Sequence, residues 1–237
     1  MTMASNAPTP ALNGNSRVQR LVRRVRELGF AATLRKLFAD RIMRRSTSVI
    51  VEYQAGWSTV GDGAQSPPWL SFVIVRQGEP LPPLNDWLAW RDAGFAAMQA
   101  AGKVAIFALD DGIAIGCVWL ALADHHDPVA REHYPVRERE AYHYCWLVDP
   151  ADRRRNVALP MCRYMLNNFA NLGVDRSFGV VDRVNRPSYL IQLRMGFRER
   201  GVKVVHYHLF GWRWTAMSRY DGVLGTVNSK DRKMLRG

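Results

Sequence analysis

Six consecutive residues carry side chains that could do chemistry together: Arg153, Arg154, Arg155, Asn156, Val157 and Ala158. The guanidinium groups are charge-assisted donors suited to phosphate or carboxylate oxygens. Asn156 tolerates a left-handed backbone, and the small Ala158 lets an anion come close to the main chain. This set suits the holding of a diphosphate, with Arg154 or Arg155 reaching its oxygens. Other reactive side chains are less well arranged. His125, His126, Asp127 and His133 put two adjacent histidines beside one distant partner, which is not a zinc spacing, so no metal is expected. Cys117, Cys145 and Cys162 lie in apolar segments without paired spacing and read as reduced, buried thiols.

The segments around the arginines must position them. Residues 141–150, AYHYCWLVDP, are aromatic and β-branched and read as a buried strand ending in Asp-Pro. Val157, Met161, Tyr164, Met165 and Phe169 recur at spacings of three and four, which predicts a helix stopped at Gly173. A strand, a cationic turn and a helix start make an anion site, because unpaired N–H groups and the helix dipole point outward there. A second strand-to-helix passage follows: Val180 to Asn185 closes a strand, and Arg186-Pro187-Ser188 opens a helix ending at Met195-Gly196-Phe197.

Upstream, residues 48–54 and 69–77 read as strands joined by a Gly/Ser/Pro-rich loop, and residues 85–101 as a helix. Residues 103–109 and 113–123 form a hairpin across Asp110-Asp111-Gly112. Residues 123–140 read as an irregular polar insertion, either a solvated loop or a lid. Residues 203–215 read as a pair of strands.

The two passages together resemble the acyl-CoA-binding core of the GNAT superfamily of N-acyltransferases. The family turn, Arg/Gln-x-x-Gly-x-Gly/Ala, stands here as Arg153-x-x-Asn156-x-Ala158, with Asn in place of the first Gly. The family's downstream Asn followed by Ala or Ser and a helix ending in Gly-Phe stands as Asn185, Ser188 and Gly196-Phe197. The likeness covers roughly residues 103–210 and, less closely, 81–102. It implies an α/β fold, a mixed sheet flanked by helices, and acetyl-CoA or another acyl-CoA as co-substrate. Backbone amides from Arg153 to Ala158 would cradle the pyrophosphate. Main-chain groups of Leu147 and Val148 would pair with pantetheine where two neighbouring strands splay apart. Asn185 would bond the pantetheine amides and act in catalysis, and Ser188 would lie near the thiol. The family's usual tyrosine acid falls at Gln192, with Tyr189 nearly a turn away. His143, on the central strand, is the expected general base, sharing one strand face with Cys145 and Leu147; a structural histidine is the other reading. Tyr142, Tyr144, Asp182 and Glu140 are the reserves. The implied activity is acyl transfer to the amine of a small molecule, such as an amino sugar or a cell-envelope precursor handled at the membrane. The competing reading is a non-catalytic CoA-binding or partner-binding module.

Composition bounds the rest. With 237 residues, 48% of them apolar, the chain forms one domain with an appendage or at most two small ones. Its formal charge of +12 points to anionic partners. Between Arg17 and Arg45, ten Arg/Lys stand against Glu27 and Asp40, which supplies +8 of that charge. Apolar residues there recur at helical spacing. The expected element is a basic amphipathic helix over residues 17–45, either packed on its own domain or lying on an anionic membrane surface. Nucleic acid is disfavoured, since few aromatics interleave with the basic residues. Residues 1–16 read as a disordered tail, 46–220 as the acyltransferase-like domain and 221–237 as a basic tail. The first sixteen residues contain no apolar core of a signal peptide, and no run is long enough to span a bilayer. The expected location is cytoplasmic, peripheral on the inner face of the membrane. The oligomeric state is left open.

Overall fold

The computed structural model describes residues 29–31, 34, 43–57, 66–127 and 132–225. The chain divides into two compact units, one of residues 1–44 with 208–212 and one of residues 45–207 with 213–237. The second carries the candidate site. In chain order the strands are β1 (Met43–Gln54), β2 (Leu70–Val75), β3 (Val104–Asp110), β4 (Ile113–Ala121), β5 (His125–Asp127), β6 (Glu132–Tyr134), β7 (Glu140–Val148), β8 (Arg176–Asp182), β9 (Arg198–Leu209) and β10 (Trp212–Arg219). The α-helices among the described residues of the second unit are α1 (Asp86–Ala89), α2 (Asp92–Ala100), α3 (Ala158–Asn167) and α4 (Arg186–Arg194).

Eight strands form one mixed sheet in the order β10-β9-β1-β8-β7-β4-β3-β2, and β5 pairs with β6 apart from it. Period-two alternation gives the sheet two apolar faces. Ile106, Ala108, Val118 and Leu120 join Met161 and Met165 of α3 and Tyr189 of α4 in one core. Ala105, Phe107, Cys117 and Trp119 join Leu88 of α1 and Phe95 of α2 in another. The fold is thus α/β, with helices on both faces of the sheet. The β3–β4 turn uses Asp111 at φ 47° and Gly112 at φ 78°, the left-handed pair that a tight hairpin requires.

Four expectations change. The helix expected over 85–101 is two helices, broken at Trp90 and Arg91 without a Gly or Pro to mark the break. Leu88 and Phe95, seven residues apart, are both buried, so the apolar spacing runs through it. The helix expected over 17–45 cannot extend to its last residues, because Met43 to Arg45 already belong to β1. That strand runs on through the β-branched Thr47, Val49, Ile50 and Val51, and it pairs antiparallel with β8. Of the remainder of that helix only residues 29–31 and 34 are described, with 30, 31 and 34 helical; the rest of it, the tail over 1–16 and most of the tail over 221–237 lie outside the described residues. The insertion over 123–140 contains the β5–β6 ladder, with His126 opposite His133. The last described residues are not a free tail: Tyr220 and Leu224 pack against the main core.

Candidate active site

Strand β7 departs from regular geometry where a site could form. Trp119 of β4 pairs with Tyr144, but Cys117 pairs with Leu147, so β7 carries one extra residue. Cys145 takes it up at φ 51°, a left-handed value that a β-bulge imposes. The bulge reverses the alternation. Tyr144, Cys145 and Leu147 pack with the core under α1 and α2. Trp146 and Val148 pack with the core under α3 and α4. His143 therefore shares its side with Trp146, at 6.2 Å between ring centroids, and not with Cys145 and Leu147 as simple alternation would have it. Gly116 opposite the bulge leaves room for it, since a Cβ there would stand 2.8 Å from the Leu147 carbonyl oxygen.

The parallel ladder between β7 and β8 also stops early. It joins Glu140, Ala141 and Tyr142 to Arg176, Ser177 and Phe178 and goes no further. Beyond Tyr142 the strands separate, leaving one edge of β7 without a strand partner. A cleft of about 280 Å³ opens in this region. Trp146, Leu147 and Val148 of β7 line it, with Arg153 of the turn, Ala158 at the start of α3, and Asn185, Pro187, Ser188 and Ile191 around the start of α4.

The turn beneath the cleft is built by its own residues. The Asp149 side chain accepts the Ala151 amide at 2.9 Å. Arg153–Arg155 make a short 3-10 turn, and Asn156 reverses the chain at φ 60°, ψ 45°. Val157, fully buried, then starts α3. Its apolar side chain offers no cap to the first-turn amides, so the helix presents unpaired N–H groups and positive partial charge at Ala158.

The three arginines separate. Arg153 lines the cleft, and its Nε donates to the Val148 carbonyl at 3.3 Å. Arg154 is exposed and does not line the cleft. Arg155 is turned to other partners: its Nη1 donates to Asp110 at 2.6 Å and to Asp152 at 2.8 Å, and its guanidinium lies 3.8 Å over the Trp69 ring. The Asp152 and Asp110 carboxylates hold its pKa above the usual arginine range. Its charge is matched by these two carboxylates, and it does not line the cleft.

His143 has a place unlike the one expected. It is 3% exposed and does not line the cleft. Its Nε2 meets Gln192 Oε1 at 3.1 Å, so Nε2 carries the proton, and Nδ1 accepts from the Ser177 hydroxyl at 2.9 Å. Burial lowers its pKa to about 4, against a smaller upward pull from Gln192. The ring is neutral, satisfied at both nitrogens and shut off from solvent, which is the geometry of a structural histidine. Gly179 makes space for it: a Cβ there would fall 2.2 Å from His143 Nε2.

The reserve residues are also engaged elsewhere, and none lines the cleft. Glu140 is buried and accepts from the Arg137 amide and Arg200. Asp182 accepts the Val184 amide. Tyr144 donates to Met98 Sδ, and the rings of Tyr142 and Tyr144 stack. Tyr189 donates to Glu199 at 2.6 Å, and burial, then that bond, raises its pKa. Gln192, where a tyrosine acid was sought, is 2% exposed and donates to Ser188 Oγ at 3.3 Å.

Leu147, Val148, Arg153, Ala158, Asn185 and Ser188 thus come together around one cleft. Trp146, Pro187 and Ile191 were not singled out by sequence. Pro187 and Ile191 are four apart on one helix face, a signal available once α4 was placed. Trp146 depends on the bulge.

No protein-family model matches the chain, and no curated protein matches it. Among solved structures it is similar to a GCN5-related N-acetyltransferase from Kribbella flavida, at 14% identity and a TM-score of 0.43, covering 75% of this chain and 63% of that one. A tandem GNAT protein from the clavulanic acid biosynthesis pathway gives 15%, 0.47, 77% and 58%. An acetyltransferase of the GNAT family from Colwellia psychrerythraea gives 12%, 0.41, 73% and 60%. The chain spans less than two thirds of the length of each. At these identities and TM-scores, what the cleft does rests on its own geometry.

Proposed function

We propose that the cleft binds an acyl-CoA and that the chain transfers the acyl group to the amine of a small molecule. The observation that carries this reading is the early end of the β7–β8 ladder, with the cleft opening at the unpaired edge of β7. The amides of pantetheine would complete that edge like an added strand, through the main chain of Leu147 and Val148. Asn185 and Ser188 also line the cleft and would hold the arm there. The pyrophosphate would sit at the N-terminus of α3, close to Ala158, with Arg153 as its cation.

No carboxylate, imidazole, thiol or phenol is among the side chains lining the cleft. Rate enhancement then comes from holding the thioester carbonyl in line with the amine, which alone is worth several orders of magnitude. The amine arrives neutral, attacks the carbonyl and gives its proton to solvent. The coenzyme thiolate leaves.

The same fact favours a second reading, a CoA-binding module without transfer, because Gln192 and His143 are bonded to each other. Thiol release from acetyl-CoA, followed over a panel of amines, separates the two. Amine-dependent release supports transfer. Tight CoA binding with no release above the uncatalysed rate for any amine supports the module.

A further inference from the structure

The turn between β9 and β10 presents apolar side chains outward. Leu209, Phe210 and Trp212 are 38%, 72% and 74% exposed. Phe210 lies at φ 47° and Gly211 at φ 87°. These are the left-handed positions of a two-residue hairpin turn, where Asn-Gly or Asp-Gly would fit at lower cost. A large aromatic at Phe210 therefore occupies an unfavourable backbone and buries little in exchange. Contact with something outside the chain would account for both.

The charges beside the turn indicate what that is. Arg213 follows Trp212 directly, Arg45 of β1 lies 5.8 Å over the Tyr207 ring of β9, and the whole chain carries a formal charge of +12. Exposed Phe and Trp flanked by arginines suit the interface of an anionic bilayer. Aromatic rings settle at headgroup level there, and cations are attracted by anionic lipid.

We infer that the β9–β10 turn is a membrane-inserting element. Leu209, Phe210 and Trp212 enter the headgroup region of an anionic membrane, and neighbouring basic residues, Arg45 and Arg213 among them, supply the electrostatic attraction. This does not depend on the acyl-transfer reading.

The test is co-sedimentation of the full chain with vesicles of phosphatidylcholine alone and of equimolar phosphatidylcholine and phosphatidylserine. The wild type should pellet with the mixed vesicles, less so as salt rises, and hardly with phosphatidylcholine alone. The double variant Phe210→Asn/Trp212→Thr suits the turn's backbone and should keep the melting temperature. It should lower partitioning about tenfold or more, because the apolar area that inserts is lost. The exchange Phe210→Trp/Trp212→Phe should retain binding. A wild type that ignores the mixed vesicles would overturn the inference, as would a double variant that pellets like the wild type. So would tip variants whose only effect, by light scattering, is to dissociate a dimer.

Discussion

At Asn156 the backbone stands at φ 60°, a conformation that Asn and Gly accept and β-branched residues do not. Asn156→Val should cost about 1–2 kcal/mol in urea unfolding and weaken CoA binding, whereas Asn156→Gly should keep both close to wild type. Equal behaviour of the two variants would show that the turn does not depend on this conformation. His143 makes a prediction about pH. Its imidazole titrates near the ordinary 6.5 when unfolded and at about 4 when folded. Between those values the unfolded chain takes up a proton that the folded chain refuses. Its contribution to stability is therefore complete above pH 6.5 and is lost as pH falls through the folded value, on the order of 3 kcal/mol in all. Urea midpoints followed across this window should fall steeply for the wild type and less steeply for His143→Gln. Parallel profiles would mean that another group is responsible. The turn was legible in sequence because Asn156 and Ala158 are themselves the signal. The role of His143 was not, since its two partners come from Ser177 and Gln192, distant in the chain and brought close only by the fold.

Among the elements, β7 decides the site. One extra residue at Cys145 moves Trp146 and Val148 to the α3–α4 side of the sheet, and alternation read from sequence has no way to anticipate the slip. The adjoining strand is adapted to the same region, with Gly179 packed on the His143 ring. Gly179→Ala should destabilise by roughly 1–3 kcal/mol through overpacking. Adding His143→Ala should recover part of that loss, so that the two substitutions are not additive. Additive losses in thermal or urea unfolding would show that the contact is not what constrains residue 179. The strand-turn-helix passage and the β3–β4 hairpin were legible because local turn residues mark them. The break between α1 and α2 was not, since neither Gly nor Pro punctuates it.

Across the whole molecule, the surprise relative to sequence is how the ends of the domain are used. Residues 43–54 form a central strand between β8 and β9, a long-range pairing that no local pattern encodes. At the other end, Glu199 accepts from Tyr189 and Tyr220 and from the amides of Leu224 and Gly225 at 2.8 and 2.7 Å. Burial pushes its carboxyl up, but these bonds outweigh burial and hold it below the usual glutamate range. Gly225 packs so closely on Tyr189 that a Cβ would stand 2.0 Å from the ring. Glu199→Gln should speed hydrogen exchange at Leu224 and Gly225 and lower the melting temperature; unchanged protection of both amides would show that the segment is held by other contacts.

The central claim is that an acyl-CoA occupies the cleft beside β7, with its pyrophosphate at the start of α3. Titration calorimetry with acetyl-CoA on the wild type and on Arg153→Glu tests it most directly. The wild type should bind, and the variant should bind more than about tenfold more weakly with its melting temperature unchanged, because a carboxylate then faces phosphate. No heat of binding from the wild type, or undiminished affinity in the variant, would contradict the account.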